Sequence, residues 1–447
     1  MPFTYYILRR SAAIAFALWV LPSMLRAQDP KIALFSDTSL TTFHLQLTTI
    51  TQWHGPCPAK YSGQNSLDSN AESATSVTST LFAGIRLWQG AGLYFNPELA
   101  GGMGLSGVTG IAGFPNGETP RIGSPDPVIT IARAYFQQFI PLSNAGNEHI
   151  ADGINQLAMD APKDRLTITI GKFALPDCFD LNSYSHDPRT QFENWALMEN
   201  GAWDYPANTR GYTIGAVVDA KVGDWSLRAS TASEPTTANG PTLTYESGAH
   251  GETVELEHRH TFGDHPGVVR LLLFNNTADM GNYDEALSSP KYDTDITKTR
   301  QYGRNKYGIG LNIEQKLAQN IGAFARVGWS DGRNETWAFT EIDRTATLGV
   351  SFYGTLCHRQ NDVAGIAGVI NGLSDDHRRY LAAGGYGFII GDGALTYAPE
   401  LIAEAYYLIA ITDAFALTVD DQFIANPAYN ADRGPVNVFG VRAHVGL

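Results

Sequence analysis

The sequence predicts an all-β chain, a transmembrane antiparallel up-and-down β-barrel of about 16 strands. Three observations carry this prediction. About sixteen segments alternate apolar and polar residues, the connections between them alternate between short and long, and no apolar run beyond the first residues is long enough for a transmembrane helix. A chain that crosses lipid must satisfy every backbone amide, and without helices only a closed barrel does so.

The candidate strands are segments with a two-residue period, bounded by Gly, Pro, Asn or Asp. They lie near residues 43–53, 76–88, 91–100, 128–140, 165–173, 211–222, 225–232, 252–262, 267–276, 305–316, 319–330, 345–355, 361–370, 396–411, 414–424 and 435–447. Because residues two apart on a strand share a face, the side chains of Ile309, Leu311 and Ile313 point to one side. We expect such apolar faces to meet lipid and the polar faces to enclose the lumen.

The lengths of the connections follow a rule. The short connections are residues 89–90, 223–224, 263–266, 317–318, 356–360 and 412–413. The long connections are residues 54–75, 101–127, 174–210, 233–251, 277–304, 331–344, 371–395 and 425–434. Short periplasmic turns and long extracellular loops are typical of outer-membrane barrels. The exception is 141–164, a long connection on the short-turn side, where residues 148–159 predict a short helix. No linker divides residues 28–447, which we expect to form a single barrel.

Composition narrows the class of protein. Charged residues make up 17% of the chain, below the roughly 25% of soluble domains. The 45 Gly, 20 Tyr, 21 Phe and 8 Trp suit turns and interfacial rings. A formal charge of -14 argues against a nucleic-acid partner, since phosphate binding relies on clustered Lys and Arg. The three cysteines, Cys57, Cys178 and Cys357, lack metal-site spacing, and the sequence leaves open whether any two are bridged.

The first residues have the pattern of an export signal. Arg9 and Arg10 precede a mostly apolar stretch over residues 11–25, and Ala27 ends a small-residue cleavage pattern. The alternative is a membrane anchor, but the apolar stretch is shorter than the roughly 20 residues that a spanning helix needs. We expect residues 1–27 to be a cleaved signal peptide and the mature chain to begin near Gln28.

Signatures of catalysis are missing from the sequence. It has no Walker loop, HExxH, GxSxG or Rossmann glycine pattern, so we expect neither an enzyme, nor a cofactor, nor a metal site. His258 and His260 could suggest metal ligation, but they continue the face of Val254 and Leu256. An interfacial position near a strand end is the better interpretation.

Charged and aromatic side chains within the alternating strands are candidates for lining a pore. A charge that faces lipid at mid-depth costs about 2–4 kcal/mol for Arg or Lys, so these side chains should point into the lumen. The candidate pore-lining residues are Arg133, Arg228, Glu255, Glu257, Arg259, Arg270, Arg326, Glu404, Arg442, Tyr135, Phe324 and Tyr406. The charges could offer hydrogen bonds to a hydroxyl-rich solute and the rings an apolar surface, or the charges could merely brace the barrel interior.

The connection over residues 101–127 is rich in glycine and contains a Pro-Asn-Gly turn signal. We expect it to fold into the lumen and narrow it, with Phe114, Asn116 and Glu118 at the constriction. A plain surface excursion is the alternative.

Several segments together resemble the carbohydrate-selective porins of the bacterial outer membrane. They are residues 61–67 (YSGQNSL), 87–90 (LWQG), 95–99 (FNPEL), 104–106 (GLS), 112–118 (AGFPNGE), 171–173 (GKF), 204–207 (DYPA), 399–401 (PEL), 404–407 (EAYY), 421–423 (DQF) and 426–427 (NP). The resemblance covers nearly all of the chain after residue 27, and it implies a sixteen-stranded barrel that passes sugars without energy coupling.

The resemblance and the residues together give the expected function. We expect an outer-membrane porin for passive, carbohydrate-selective diffusion of sugars and small polar solutes, in contact with outer-membrane lipid and lipopolysaccharide. A general, non-selective porin, a plugged structural barrel and a secreted soluble β-sandwich carbohydrate-active protein are the alternatives. The sequence leaves both a monomer and a homotrimer open.

Overall fold

The computed structural model describes residues 40–119, 125–244, 248–354 and 359–447. The predicted signal peptide, residues 1–27, lies outside the described residues, and so does Cys357.

Eighteen strands occur within the described residues. They are β1 (Thr41–His54), β2 (Glu72–Trp88), β3 (Ala91–Gly102), β4 (Val128–Pro141), β5 (Asn147–Ile150), β6 (Met159–Pro162), β7 (Arg165–Phe173), β8 (Thr213–Val222), β9 (Trp225–Ser233), β10 (His250–Phe262), β11 (His265–Met280), β12 (Gln301–Ala318), β13 (Ile321–Ser330), β14 (Arg344–Tyr353), β15 (Val363–Gly372), β16 (Glu400–Ala410), β17 (Phe415–Ala425) and β18 (Val436–Gly446). All sixteen predicted strands are present, within four residues at either end.

Sixteen of the described strands close into one antiparallel barrel, in which each strand pairs with its neighbours in the chain except that β4 pairs with β7. β1 closes the barrel against β18, with Gln46 opposite Gly446 and His54 opposite Val438. β5 and β6 form a separate two-stranded sheet. The predicted up-and-down barrel of 16 strands is therefore confirmed.

The two faces of the barrel follow the alternation of the sequence. On β12, Leu311 is 36% exposed on the outer face, whereas its neighbour Asn312 is 2% exposed on the inner face. Exposed aromatic rings lie near both ends of the outer face: Trp53 stacks on Phe439 at 5.9 Å between ring centroids, and Trp225 stacks on His258 at 4.1 Å. His258 is thus part of an interfacial girdle, as the sequence indicates.

The two ends of the barrel differ. The end named here the turn end carries the connections 89–90, 223–224, 263–264, 319–320 and 411–414, and the loop end carries the long connections. The described helices lie in long connections and are α1 (Trp195–Met198), α2 (Tyr283–Ser288) and α3 (Asp375–Ala382), with 3-10 turns at Leu105–Gly107, Leu175–Asp177, Pro290–Tyr292, Ile296–Thr299 and Pro427–Tyr429. None of the described helices has the length and hydrophobicity that crossing a bilayer demands.

The helix predicted over residues 148–159 is wrong. This part of the chain forms the hairpin of β5 and β6, with Asn147 opposite Pro162 and Ile150 opposite Met159. Gly153 and Asn155 explain the difference, because glycine is a poor helix former and Asn155 adopts a left-handed φ of 52° at the tip of the hairpin.

Candidate functional site

The lumen is partly filled by two long connections that fold inward from the loop end. The first, the first inserted loop, comprises residues 103–119 between β3 and β4, and the second, the second inserted loop, comprises residues 174–212 between β7 and β8. Together they contribute much of the main buried apolar cluster, which includes Phe114, Phe192 and Trp195.

Carboxylates on the barrel wall hold both inserted loops by their backbone amides. Glu404 on β16 accepts hydrogen bonds from the backbone N–H groups of Glu193 at 2.6 Å and Asn194 at 2.9 Å. Glu400, four residues earlier on the same face of β16, accepts from Ala112 at 2.9 Å and Gly113 at 2.8 Å. Charge-assisted bonds of this kind are among the stronger ones in proteins, so both loops are fixed to the same strand.

Arginines on the wall hold the second inserted loop by its carbonyl groups. Arg326 on β13 donates to the backbone oxygens of Leu197 at 2.8 Å and Ser185 at 2.7 Å, and its Nε lies 3.1 Å from an Asp180 carboxylate oxygen. Arg442 on β18 donates to the carbonyls of Pro188 at 2.7 Å and Gln191 at 2.9 Å. Neither arginine has exposed surface, so both lie enclosed between the barrel wall and the second inserted loop.

The segment predicted to constrict the lumen lies inside the barrel. Phe114 stacks on Trp195 of the second inserted loop at 5.3 Å between ring centroids. The Asn116 amide donates to the Ser76 hydroxyl at 3.0 Å. Glu118 accepts from the Thr78 hydroxyl at 2.6 Å. All three predicted side chains are buried, and Glu118 is the one that reaches the cavity described next.

A cavity of about 560 Å³ remains between the second inserted loop and one sector of the wall. The wall side is formed by residues of β1, β2, β4, β7, β8 and β9. Both the first residue of β7, Arg165, and the last, Phe173, line it. At about 3.3 Å per residue, that strand is roughly 26 Å long, and at a tilt of about 40° it rises roughly 20 Å along the barrel axis, most of the apolar band of about 25 Å. The cavity therefore extends along the barrel axis at one side of the lumen.

The ionisable side chains that line this cavity are equal in number, basic and acidic, and are mostly paired. The lining includes five arginines and five carboxylates: Arg133, Arg165, Arg189, Arg210, Arg228, Glu118, Asp177, Asp187, Glu199 and Asp219. Arg133 forms a two-pronged contact with Asp177 at 2.5 and 2.6 Å. Arg189 contacts Glu118 at 3.0 Å. Such a surface offers hydrogen bonds of both polarities without a strong net field.

Aromatic rings form part of the opposite side. Trp195, Tyr205 and Phe339 all line the cavity. Phe339 lies 4.6 Å from the Trp195 ring and stacks on Tyr205 at 5.2 Å. Within the described part of the chain, the Trp195 indole nitrogen is buried and has no hydrogen-bond partner. Buried indole N–H groups usually find an acceptor, so the unpaired nitrogen is unusual.

Two titratable groups of the second inserted loop face each other across 3.5 Å, His186 Nδ1 and a Glu199 carboxylate oxygen. Burial, with a contribution from Arg326, lowers the pKa of His186. Burial, with a contribution from Asp180, raises the pKa of Glu199 well above its ordinary value. Both shifts favour the uncharged forms, so this pair adds polarity to the cavity rather than charge.

A ladder of alternating charges continues along the wall from the cavity. Arg228 contacts Asp219 at 3.2 Å, Glu255 at 2.7 Å and Glu257 at 2.8 Å. Glu257 also contacts Arg270 at 2.9 Å and pairs with Arg259. Since these partners face one another, the ladder braces β8 to β11.

The structure separates the predicted pore-lining residues into two groups. Arg133, Tyr135 and Arg228 line the cavity. The remaining residues point inward but do not line the cavity, because they contact inserted loops or one another: Glu255, Glu257, Arg259, Arg270, Arg326, Glu404, Arg442, Phe324 and Tyr406. For this second group, and for Phe114 and Asn116, a role along the solute path stays a prediction; the Arg259 side chain is 36% exposed.

Alternation within strands missed the residues that the second inserted loop contributes, among them Asp177, His186, Arg189 and Trp195. The length of the connection 174–210, the longest between predicted strands, was the available signal. Loops of that length inside a compact fold are usually functional.

Thiols and metal ligands do not add a further site among the described residues. Cys57 and Cys178 are free thiols. No group of three or more His, Cys, Asp or Glu in the described ranges could hold a metal ion.

An apolar outer face, aromatic girdles and an inner cavity that is lined by paired charges and follows the axis define a transmembrane β-barrel channel. The family model "Carbohydrate-selective porin, OprB family" matches residues 68–447. The chain belongs to this family and is an outer-membrane porin for carbohydrates. The turn end is accordingly periplasmic and the loop end extracellular.

Solved structures agree with the fold. The high-pH structure of Pseudomonas putida OprB matches with a TM-score of 0.68 at 15% identity, covering 91% of this chain and 94% of that one. The outer-membrane channel DcaP of Acinetobacter baumannii matches with a TM-score of 0.50 at 10% identity, over 91% and 97% of the two chains. Salmonella typhi OmpF, in complex with daunomycin, matches with a TM-score of 0.50 at 10% identity, over 92% and 99%. No curated protein matches the sequence.

Proposed function

We propose that sugars cross this barrel by passive diffusion through the 560 Å³ cavity, between the arginine-bearing wall and the aromatic side of the inserted loops. The observation that carries the proposal is the extent of the cavity, which follows β7 from its first to its last residue. Its volume also lies within the range of about 300–1,000 Å³ that is common for sites of small molecules.

The lining suits an uncharged, hydroxyl-rich solute. Arg133 and Arg189 are held by Asp177 and Glu118, so they present donors in fixed positions while their charges are compensated. A sugar can exchange its hydration shell for such donors and acceptors, and its apolar face can pass over Trp195 and Phe339. Weak contacts are essential, because a tightly bound solute would stop conduction.

Liposome swelling tests the proposal. Purified protein in vesicles should pass sugars at rates that depend on their stereochemistry at equal size. Trp195→Ala should reduce that discrimination, whereas Trp53→Ala, which removes an equally large ring from the lipid-facing side, should leave it intact. Rates that depend on solute size alone would reduce the protein to a general porin, and vesicles without swelling or conductance would indicate a plugged barrel.

The proposal extends to export and surroundings. Removal of residues 1–27 delivers the barrel to the outer membrane, where its exposed apolar face contacts lipid and its extracellular loops border lipopolysaccharide. N-terminal sequencing of protein from outer membranes should begin near Gln28. Mild-detergent sedimentation distinguishes a monomer from a homotrimer.

A further inference from the structure

The β5–β6 hairpin sits at the turn end, where the other described connections are short. Its tip is a tight turn in which Gly153 and Gln156 exchange backbone hydrogen bonds, both at 3.0 Å. Asn155 adopts the left-handed conformation that this turn requires, with φ of 52°. The hairpin is therefore an ordered element rather than a slack link between β4 and β7.

The tip of the hairpin reaches up into the barrel. The side-chain amide of Asn96 donates to the Asn155 side-chain oxygen at 2.9 Å. Asn96 lies five residues above Ala91, the first residue of β3, which corresponds to roughly 16 Å of strand. A periplasmic connection thus enters the lumen from the end opposite to the two inserted loops.

Several contacts hold the hairpin in this position. Its Glu148 contacts Arg165 on β7 at 2.5 Å and Lys221 on β8 at 2.8 Å. Asp152 lies 3.2 Å from His44 on β1. The hairpin is therefore fastened to strands on both sides of the sector that it covers.

Apolar packing adds to these contacts. Leu157 has no exposed surface and packs with Tyr94, Phe139 and Met159 in a separate buried cluster. Gly92 provides the room, since a Cβ at that position would lie 2.9 Å from a Leu157 methyl group. Burial of a leucine side chain contributes about 1.5–3 kcal/mol, more than an exposed ion pair does.

Residues near the tip share the cavity with the inserted loops. Ile154, Asn155 and Gln156 line the same space as Arg189 and Asp177. Ile154 is 46% exposed there, an apolar side chain in the same cavity as these charged residues. Apolar narrowings impede water and ions more than polar ones of equal width.

We propose that the β5–β6 hairpin forms a second, periplasmic-side constriction of the solute path, in which Ile154 limits the width and the amides of Asn155 and Gln156 contact the passing solute. This rests on the proposed function, in which the cavity is that path. Two constrictions in series select a solute twice, first at the inserted loops and then at the hairpin.

Single-channel conductance in KCl tests the constriction without sugars. Ile154→Trp should lower the conductance at least twofold. Ile411→Trp is the matched control, because Ile411 is 50% exposed at the same end of the barrel and does not line the cavity. A second variant replaces residues 151–158 by Asn-Gly, which suits a two-residue turn between the paired Ile150 and Met159. It should raise the conductance and admit larger sugars in liposome swelling.

Native conductance in both hairpin variants would overturn the proposal, and an Ile154→Trp protein that fails to fold leaves the decision to the shortened hairpin. Failure of the proposed function would give a different result from failure of the hairpin proposal. Vesicles with native protein would then exclude all sugars, while the conductance comparison would still show whether the hairpin limits the ion path.

Discussion

Replacement of Arg326 by alanine probes how the second inserted loop is held in the lumen. The guanidinium is completely buried and serves Asp180, Leu197 and Ser185 at once. Arg326→Ala leaves the Asp180 carboxylate without its cation and removes the guanidinium donor from the carbonyls of Leu197 and Ser185, of which Leu197 keeps the Ser185 hydroxyl. We therefore expect the loop to loosen while the barrel stays closed, since the strand pairing of β13 does not depend on this side chain.

The magnitude follows from these contacts. Removal of one partner of a buried ion pair costs about 3–5 kcal/mol. Water from the neighbouring cavity can reach the vacated space, so the lower figure, about 3 kcal/mol, is appropriate. At about 1.4 kcal/mol per factor of ten, the displaced state of the loop gains roughly a hundredfold in population.

Single-channel recording detects this change directly. The variant should show larger and noisier conductance, and its heat-dependent migration on gels should shift to lower temperature. Arg344→Ala is the control, because Arg344 is exposed on the neighbouring β14. Conductance and melting equal to those of the control would refute the inference that Arg326 anchors the loop.

Three further predictions address the interior charges and the lipid face. Burial, together with the nearby Asp420, raises the pKa of Glu193 to about 8. The stability of the folded state should therefore fall as the pH rises from about 4.5 to about 8, and stay low above it. Glu193→Gln should flatten this dependence in thermal melts between pH 4 and pH 9. Glu257→Gln should lower stability by about 3 kcal/mol, with little effect on sugar flux, because Glu257 serves three arginines and lies off the cavity. Leu311→Arg should cost about 2–4 kcal/mol of folding free energy in vesicles, as measured by urea titration.

Three results would contradict these predictions. An unchanged pH profile in Glu193→Gln would exclude that carboxyl as a source of the dependence. Altered sugar discrimination with native stability in Glu257→Gln would place its side chain on the solute path. A Leu311→Arg protein as stable as the native one would show that this side of β12 does not face hydrocarbon.

Elements with a local period could be predicted without the fold. The sixteen barrel strands and the outward direction of Leu311 follow from alternation, because successive side chains of a strand point to opposite faces whatever lies nearby. The succession of short and long connections predicted the strand order as well, because neighbouring antiparallel strands need only a short turn between them at one end.

Only the tertiary structure decides which of the inward-pointing side chains line the cavity. Arg228 and Arg326 have the same inward direction, yet Arg228 lines the cavity and Arg326 lies behind a loop. The difference comes from contacts such as Glu404 with Glu193, which are 211 residues apart. The same holds for the periplasmic hairpin, whose inward position depends on Asn96, Leu157 and the strands around them. A two-residue period fixes the face of a strand, but the path of a long loop is set by partners that the chain brings together only on folding.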